Sequence, residues 1–146
     1  MIAELSRTNY PEWIGRPLGP GAPRVITQSD VDAFAQLTGD HQWIHVDVER
    51  AERGPFGSTL VPGLLLLSLV PQWLTELLSP LDSDSVLTVG YDSVRFLSPV
   101  KVPSTLAATA TLRDTEERGD RLRSWWELDI TSSDVSVART TAVLQW

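Results

Sequence analysis

The chain has 146 residues, 42% of them hydrophobic and 21% charged, an ordinary balance for a globular protein with a sizeable core. Its net charge is −7, with one lysine (Lys101) and no basic cluster, so composition argues against a nucleic-acid partner. There is no cysteine, which excludes disulfides and thiolate catalysis and leaves a zinc ion only nitrogen and oxygen ligands.

In chain order, Met1 to Thr8 has no apolar run and carries Glu4, unlike a signal peptide. Residues 1–24 are rich in proline and glycine and read as an arm lying on the domain, with Tyr10, Trp13 and Ile14 as its apolar anchors. Val25-Ile26 suits a short strand. Thr27-Gln28-Ser29-Asp30 has capping-box spacing, and Val31, Phe34, Ala35 and Leu37 then follow a helical period until Gly39 stops it. Asp47 suits the N-cap of a short helix through Arg53, which Gly54-Pro55 ends. Pro62 fits the first turn of a further helix. From Leu60 to Leu78 the residues are apolar on nearly all sides, which predicts a helix buried all round, kinked or split by Pro71. Leu60 to Leu69 is too short to span a bilayer, and Pro71, Gln72 and Glu76 interrupt its continuation. The expectation is a cytoplasmic protein with no membrane partner.

After Pro80 the character changes. Val86 to Phe96, Thr105 to Leu112, Leu122 to Thr131 and Val135 to Leu144 are β-rich. The third run alternates, with Leu122, Trp126, Leu128 and Ile130 on one face and Arg123, Glu127 and Asp129 on the other. Glu117 to Asp120 and Ser132 to Asp134 read as hairpin connections. Helices followed by antiparallel strands give an α+β fold, a sheet wrapped around a long central helix, in one domain over 1–146 with the arm at 1–24.

Both histidines fall in the stretch from Leu37 to Asp47. An acid, Asp40, and a base, His45, stand five residues apart, and Gly63 follows at a helix start. These are the parts for proton transfer beside a polarised carbonyl. On spacing alone Asp40 reads as a polar turn residue and His45 as a half-buried histidine. His41 reads as a surface residue and Asp47 as a helix cap. A metal site from Asp40, His41, His45 and Asp47 lacks zinc-type spacing on one helix face. Arg95 reads as a sheet-edge residue in preference to a phosphate ligand, and Trp125, Trp126 and Trp146 as core or interface.

The longer pattern Phe34-Ala35-x-Leu37-Thr38-Gly39-Asp40-x-x-x-Ile44-His45-x-Asp47 resembles the hydratase motif of the MaoC-like, hot-dog-fold (R)-specific enoyl-CoA hydratases. Gly39 to Asp47 is similar to the nodulation protein N branch of that family. Gly54-Pro55-Phe56-Gly57, Pro62-Gly63 and Val94-Arg95-Phe96-x-Ser98-Pro99-Val100 extend the likeness. The resemblance implies a hot-dog fold, a homodimer, and hydration of a trans-2-enoyl thioester to a (3R)-hydroxyacyl thioester, or the reverse. It implies an acyl-CoA or acyl-carrier-protein substrate, CoA-linked in preference, with no cofactor and no metal. It places the catalytic pair on Asp40 and His45, and the oxyanion-hole N–H on Gly63. Two positions depart from the pattern: Pro62 stands where many relatives have histidine, and Pro71 where the (R)-hydratases place a serine that supports the aspartate. Ser68 is the nearest hydroxyl. A hot-dog thioesterase and a non-catalytic thioester-binding protein remain the rival readings.

Overall fold

In the computed structural model, which describes residues 1–146, the N-terminal arm supplies three short strands. β1 (Ala3–Leu5) runs parallel to β4 (Leu78–Pro80), and β2 (Pro17–Leu18) and β3 (Arg24–Ile26) both pair antiparallel with β6 (Ser104–Arg118). The arm's deepest anchors are Ala3, Leu5 and Leu18, all buried. Tyr10 and Trp13 are partly buried and pack against the core as expected from sequence, whereas Ile14 is exposed and is no anchor. Ala3 and Leu5 are buried where β1 pairs with β4, in the same core cluster as Leu77 and Leu78.

Three helices follow: α1 (Gln28–Thr38), α2 (Trp43–Val46) and α3 (Val48–Glu52). The capping box at the start of α1 is formed in both directions. The Thr27 N–H donates to Asp30 Oδ2 at 2.8 Å, and the Asp30 N–H donates to Thr27 Oγ1 at 3.4 Å. These bonds satisfy donors that a helix start otherwise leaves orphaned.

The apolar segment is helical in two pieces, α4 (Gly63–Ser68) and α5 (Val70–Leu77), with the break at Leu69. Pro71 lies in the first turn of α5, where its missing N–H costs nothing, so the proline splits the segment as its chemistry predicts. Val70, Trp73, Leu74 and Leu77 share one buried stripe. Each such side chain contributes about 2 kcal/mol relative to exposure. Burial is not all round, however: Leu64 is 63% exposed.

The remaining chain supplies β5 (Leu87–Phe96), β6, β7 (Arg121–Ser132) and β8 (Val135–Gln145). β6 to β8 form a meander and β5 crosses over to pair with β8, so that with β2 the spatial order is β2-β6-β7-β8-β5. All neighbours are antiparallel. Ser133 and Asp134 both take left-handed φ values, 48° and 63°, in the tight turn between β7 and β8. Leu122, Trp126, Leu128 and Ile130 face inward as their alternation predicts, and buried Ser124 accepts the Trp126 indole N–H at 2.9 Å. Ala108 and Ala110 on β6, with Ala138 and Ala142 on β8, are buried in the same core as Trp73 and Leu74 of α5. Small side chains on those strands let the helix pair sit close to the sheet. β5 ends the sheet, and Leu87, Val89 and Phe96 along it are exposed. No helix is long and apolar enough to cross a membrane.

Candidate functional site

Asp40 owes its position to a helix stop. Gly39 takes φ = 79°, a left-handed conformation that a side chain disfavours, and its N–H caps α1 on the Ala35 carbonyl at 2.8 Å. The chain turns there and Asp40 leaves the helix axis half-exposed. Its Oδ1 accepts a long hydrogen bond from the Gln42 N–H at 3.4 Å, and its own N–H reaches Thr38 Oγ1, also at 3.4 Å. Ser68 does not replace the supporting serine of the (R)-hydratases, since its hydroxyl donates to the Leu65 carbonyl at 2.7 Å.

His45 sits on the single turn of α2. Four residues make no stable helix alone, so the turn depends on its surroundings. The Arg50 guanidinium lies 4.3 Å over the Trp43 ring, and Asp47 caps α3 by accepting the Arg50 N–H at 3.1 Å. The Leu60 N–H donates to the Ile44 carbonyl at 2.8 Å. His45 is 8% exposed, and its Nδ1 lies 2.7 Å from the Leu60 carbonyl oxygen. A carbonyl only accepts, so Nδ1 carries the hydrogen and, in the neutral ring, Nε2 is an acceptor. The Leu60 carbonyl is itself fixed. Val61 N–H donates to the Val100 carbonyl at 2.8 Å and Val102 N–H to the Thr59 carbonyl at 3.0 Å, an extended pairing centred on Leu60 and Lys101.

Nε2 of His45 and Oδ2 of Asp40 lie 4.0 Å apart. That is beyond direct hydrogen bonding but suits a shared small molecule. A water about 2.8 Å from each atom would subtend about 90° between them, close to its own bond angle. Both protein atoms are acceptors, so such a water donates both hydrogens and turns a lone pair outward.

Gly63 begins α4, and its N–H makes no hydrogen bond within the protein. A Cβ placed there would lie 2.8–2.9 Å from three atoms of the Phe96 ring. A side chain at this position therefore obliges the Phe96 ring to shift.

Sequence reasoning singled out Asp40, His45 and Gly63, and the structure brings the first two together. His41 is exposed. Arg95 is exposed on the edge strand, its Nη1 donating to the Val94 carbonyl at 2.9 Å. Trp126 and Trp146 are buried, and Trp125 donates to Asp92 Oδ2 at 2.8 Å from a half-buried position. The Leu60 carbonyl, Gln28, Thr59 and Phe96 were not foreseen. A backbone carbonyl carries no sequence signal, and the polar residues contact the site only through the fold. An open cleft of about 410 Å³ adjoins the histidine's support, lined by Gln28, Thr59, Val102 and Pro103 among others. A separate cavity of about 290 Å³ lies at the far end of the helix pair, between Leu74, Leu78, Val86, Leu144 and Trp146.

The sequence matches the model of the MaoC like domain over residues 10–125. The chain belongs to the MaoC-like family. It is 41% identical over 106 residues to 3-hydroxyacyl-thioester dehydratase Z of Mycobacterium tuberculosis, covering 73% of this chain and 70% of that protein. It is 38% identical over 118 residues to nodulation protein N of Rhizobium leguminosarum bv. viciae, covering 80% of this chain and 73% of the relative. Among solved structures, a monoamine oxidase regulatory protein from Archaeoglobus superposes with a TM-score of 0.76 at 29% identity, covering 90% of this chain and 88% of the other. An unliganded R-hydratase from Pseudomonas aeruginosa gives a TM-score of 0.73 at 19% identity, covering 91% and 84%, a likeness of fold alone. The MaoC-like fold is the hot dog, and the sheet over α4 and α5 here is that arrangement.

Proposed function

We propose that this MaoC-like protein adds water across the double bond of trans-2-enoyl thioesters with (R) stereochemistry, and catalyses the reverse dehydration. The observation that carries the proposal is the Asp40–His45 pair, two acceptors 4.0 Å apart with the histidine tautomer fixed by the Leu60 carbonyl. The family and the 41% identity to a 3-hydroxyacyl-thioester dehydratase support the substrate class. A water held by both groups presents its lone pair to the electrophilic β-carbon. As the C–O bond forms, one member of the pair takes a water proton and the π electrons move to the thioester oxygen. The unpartnered Gly63 N–H is the donor for that developing enolate. The enolate then collapses, the pair returns the proton it took from water to the α-carbon on the same side, and the (3R)-hydroxyacyl thioester leaves the Asp40–His45 pair as it began. The carrier is CoA in preference to acyl carrier protein, and the site lies within one hot-dog domain.

The working form is a cytoplasmic homodimer. β5 leaves a free edge flanked by exposed Leu87, Val89 and Phe96, and a second copy is a fitting cover for it.

Crotonyl-CoA and longer enoyl-CoAs test the activity. Loss of enoyl absorbance without release of free thiol is the expected result. Thiol release would identify a thioesterase, and binding without turnover would leave a thioester-binding protein.

A further inference from the structure

Gln28 stands outside the Asp40–His45 pair, at the first turn of α1, yet its amide joins three parts of the site. Its Nε2 donates to Asp32 Oδ1 at 2.9 Å and to the His45 carbonyl at 2.7 Å. Its Oε1 accepts the hydroxyl of buried Thr59 at 2.5 Å. The next residue, Leu60, carries the carbonyl that takes the His45 Nδ1 hydrogen. The bonds close a circuit, from Gln28 to the His45 backbone, from the His45 ring to Leu60, and from Thr59 back to Gln28.

We propose that Gln28 is a positioning residue for hydration: by tying the backbone of His45 to the segment that bears the Leu60 carbonyl, it holds the imidazole as the Nδ1–H tautomer with Nε2 free for the reactant. The proposal rests on the enoyl-thioester reading for its kinetic consequence only. The Val100 and Val102 pairings fix one side of the Leu60 segment, and Gln28 ties its other side to α2. α2 is a single turn whose placement comes from such ties. Where the tie is lost, the ring and its carbonyl partner no longer move together, and a misplacement of about 1 Å at a reacting group costs on the order of a hundredfold in rate.

Two variants test this. Gln28→Met keeps length and removes all three hydrogen bonds of the amide. Gln28→Glu keeps shape: the neutral carboxyl donates to the His45 carbonyl and accepts from Thr59, whereas the ionised carboxylate has no hydrogen to donate. The first readout is the tautomer of His45 by histidine nitrogen NMR, with exposed His41 as the internal reference. The parent is expected to show a single Nδ1–H form, and Gln28→Met a mixture. On crotonyl-CoA, Gln28→Met should lower kcat by about tenfold to a hundredfold while KM stays within about threefold. With kcat of the parent measured at each pH, the ratio of Gln28→Glu to parent should approach one at low pH, where the new carboxyl beside Asp32 is neutral, and fall as that carboxyl ionises. The ratio cancels any pH dependence the two proteins share. If Gln28→Met does not fold, the Gln28→Glu profile decides alone. An unchanged kcat in folded Gln28→Met overturns the proposal. So does a lowered kcat with His45 still wholly Nδ1–H and no recovery of Gln28→Glu at low pH. A parent inactive on crotonyl-CoA would refute the hydratase reading, while the NMR comparison would still decide whether Gln28 sets the tautomer.

Discussion

Replacing Gly63 by alanine separates steric crowding from loss of an oxyanion donor, provided that it is made with and without Phe96. The new Cβ falls 2.8–2.9 Å from three ring atoms of Phe96, where carbon atoms prefer about 3.5–4.0 Å. Overpacking of this kind costs about 1–3 kcal/mol when neighbours are fixed. Phe96 is 49% exposed and has solvent to turn into, which places the expected loss near the lower end, about 1 kcal/mol. Turnover should suffer more. If the Gly63 N–H holds the enolate oxygen, a methyl group beside it pushes the thioester away. Loss of such a donor costs about 3 kcal/mol of transition-state stabilisation, which is on the order of a hundredfold. Phe96→Ala removes the clash and leaves the N–H. In that background Gly63→Ala should cost little stability but retain most of its kinetic penalty, the two effects being separated by a double-mutant cycle. Urea unfolding and crotonyl-CoA hydration on the four proteins measure both. Parental turnover in folded Gly63→Ala, or full recovery of turnover on adding Phe96→Ala, would remove the Gly63 N–H from the mechanism.

Asp40→Asn and His45→Gln should each lower turnover on the order of a hundredfold, and the double variant should be little worse than either, as groups acting on one water are non-additive. His41→Gln should stay within a few-fold in the same hydration assay. Asp30→Ala should lower unfolding free energy by about 1 kcal/mol through loss of the capping box. The Asp30 carboxyl is held below its ordinary range by hydrogen bonds from the Thr27 N–H and then the Thr27 hydroxyl. Its contribution is therefore complete above the unfolded value of about 3.9 and disappears as pH falls through the lower folded value. The parent and Asp30→Ala should accordingly converge in stability at the acid end of a urea–pH series, and a difference that widens there would contradict the cap. Sedimentation should show a dimer, and a stable monomer at micromolar concentration would refute the proposed assembly.

Local grammar was legible in the sequence. The Thr27–Asp30 box, the Gly39 stop, the Asp47 cap and three of the four long strands stand close to where their residues place them, because each is decided within a few residues. β6 instead runs on to Arg118, past its expected end at Leu112, because pairing with β7 carries its polar end. The Asp40–His45 pair was legible only through the longer resemblance from Phe34 to Asp47, since spacing alone reads Asp40 as a turn residue and His45 as a half-buried histidine. What required the fold were contacts between distant segments. The role of Leu60 depends on pairing with Lys101, that of Gln28 on a carbonyl 17 residues away, and that of Phe96 on standing over Gly63. The exposure of Leu64 was missed for a related reason: an apolar run shows that burial is available, but not which side lacks a neighbour.

The parallel clasp between Ala3–Leu5 and Leu78–Pro80 has a consequence for the order of folding. Its partners are about 75 residues apart, so closing it carries a large loop-closure entropy. β6, β7 and β8 follow one another through tight turns and pair at short range. Contacts between near neighbours in the chain form first as a rule. The meander should therefore act as the nucleus and the clasp should close late, after the helix pair has settled on the sheet. Destabilising changes at Ala3 or Leu5 should then quicken unfolding and leave the refolding rate almost untouched, whereas changes at Leu128 or Ile130 should slow refolding itself.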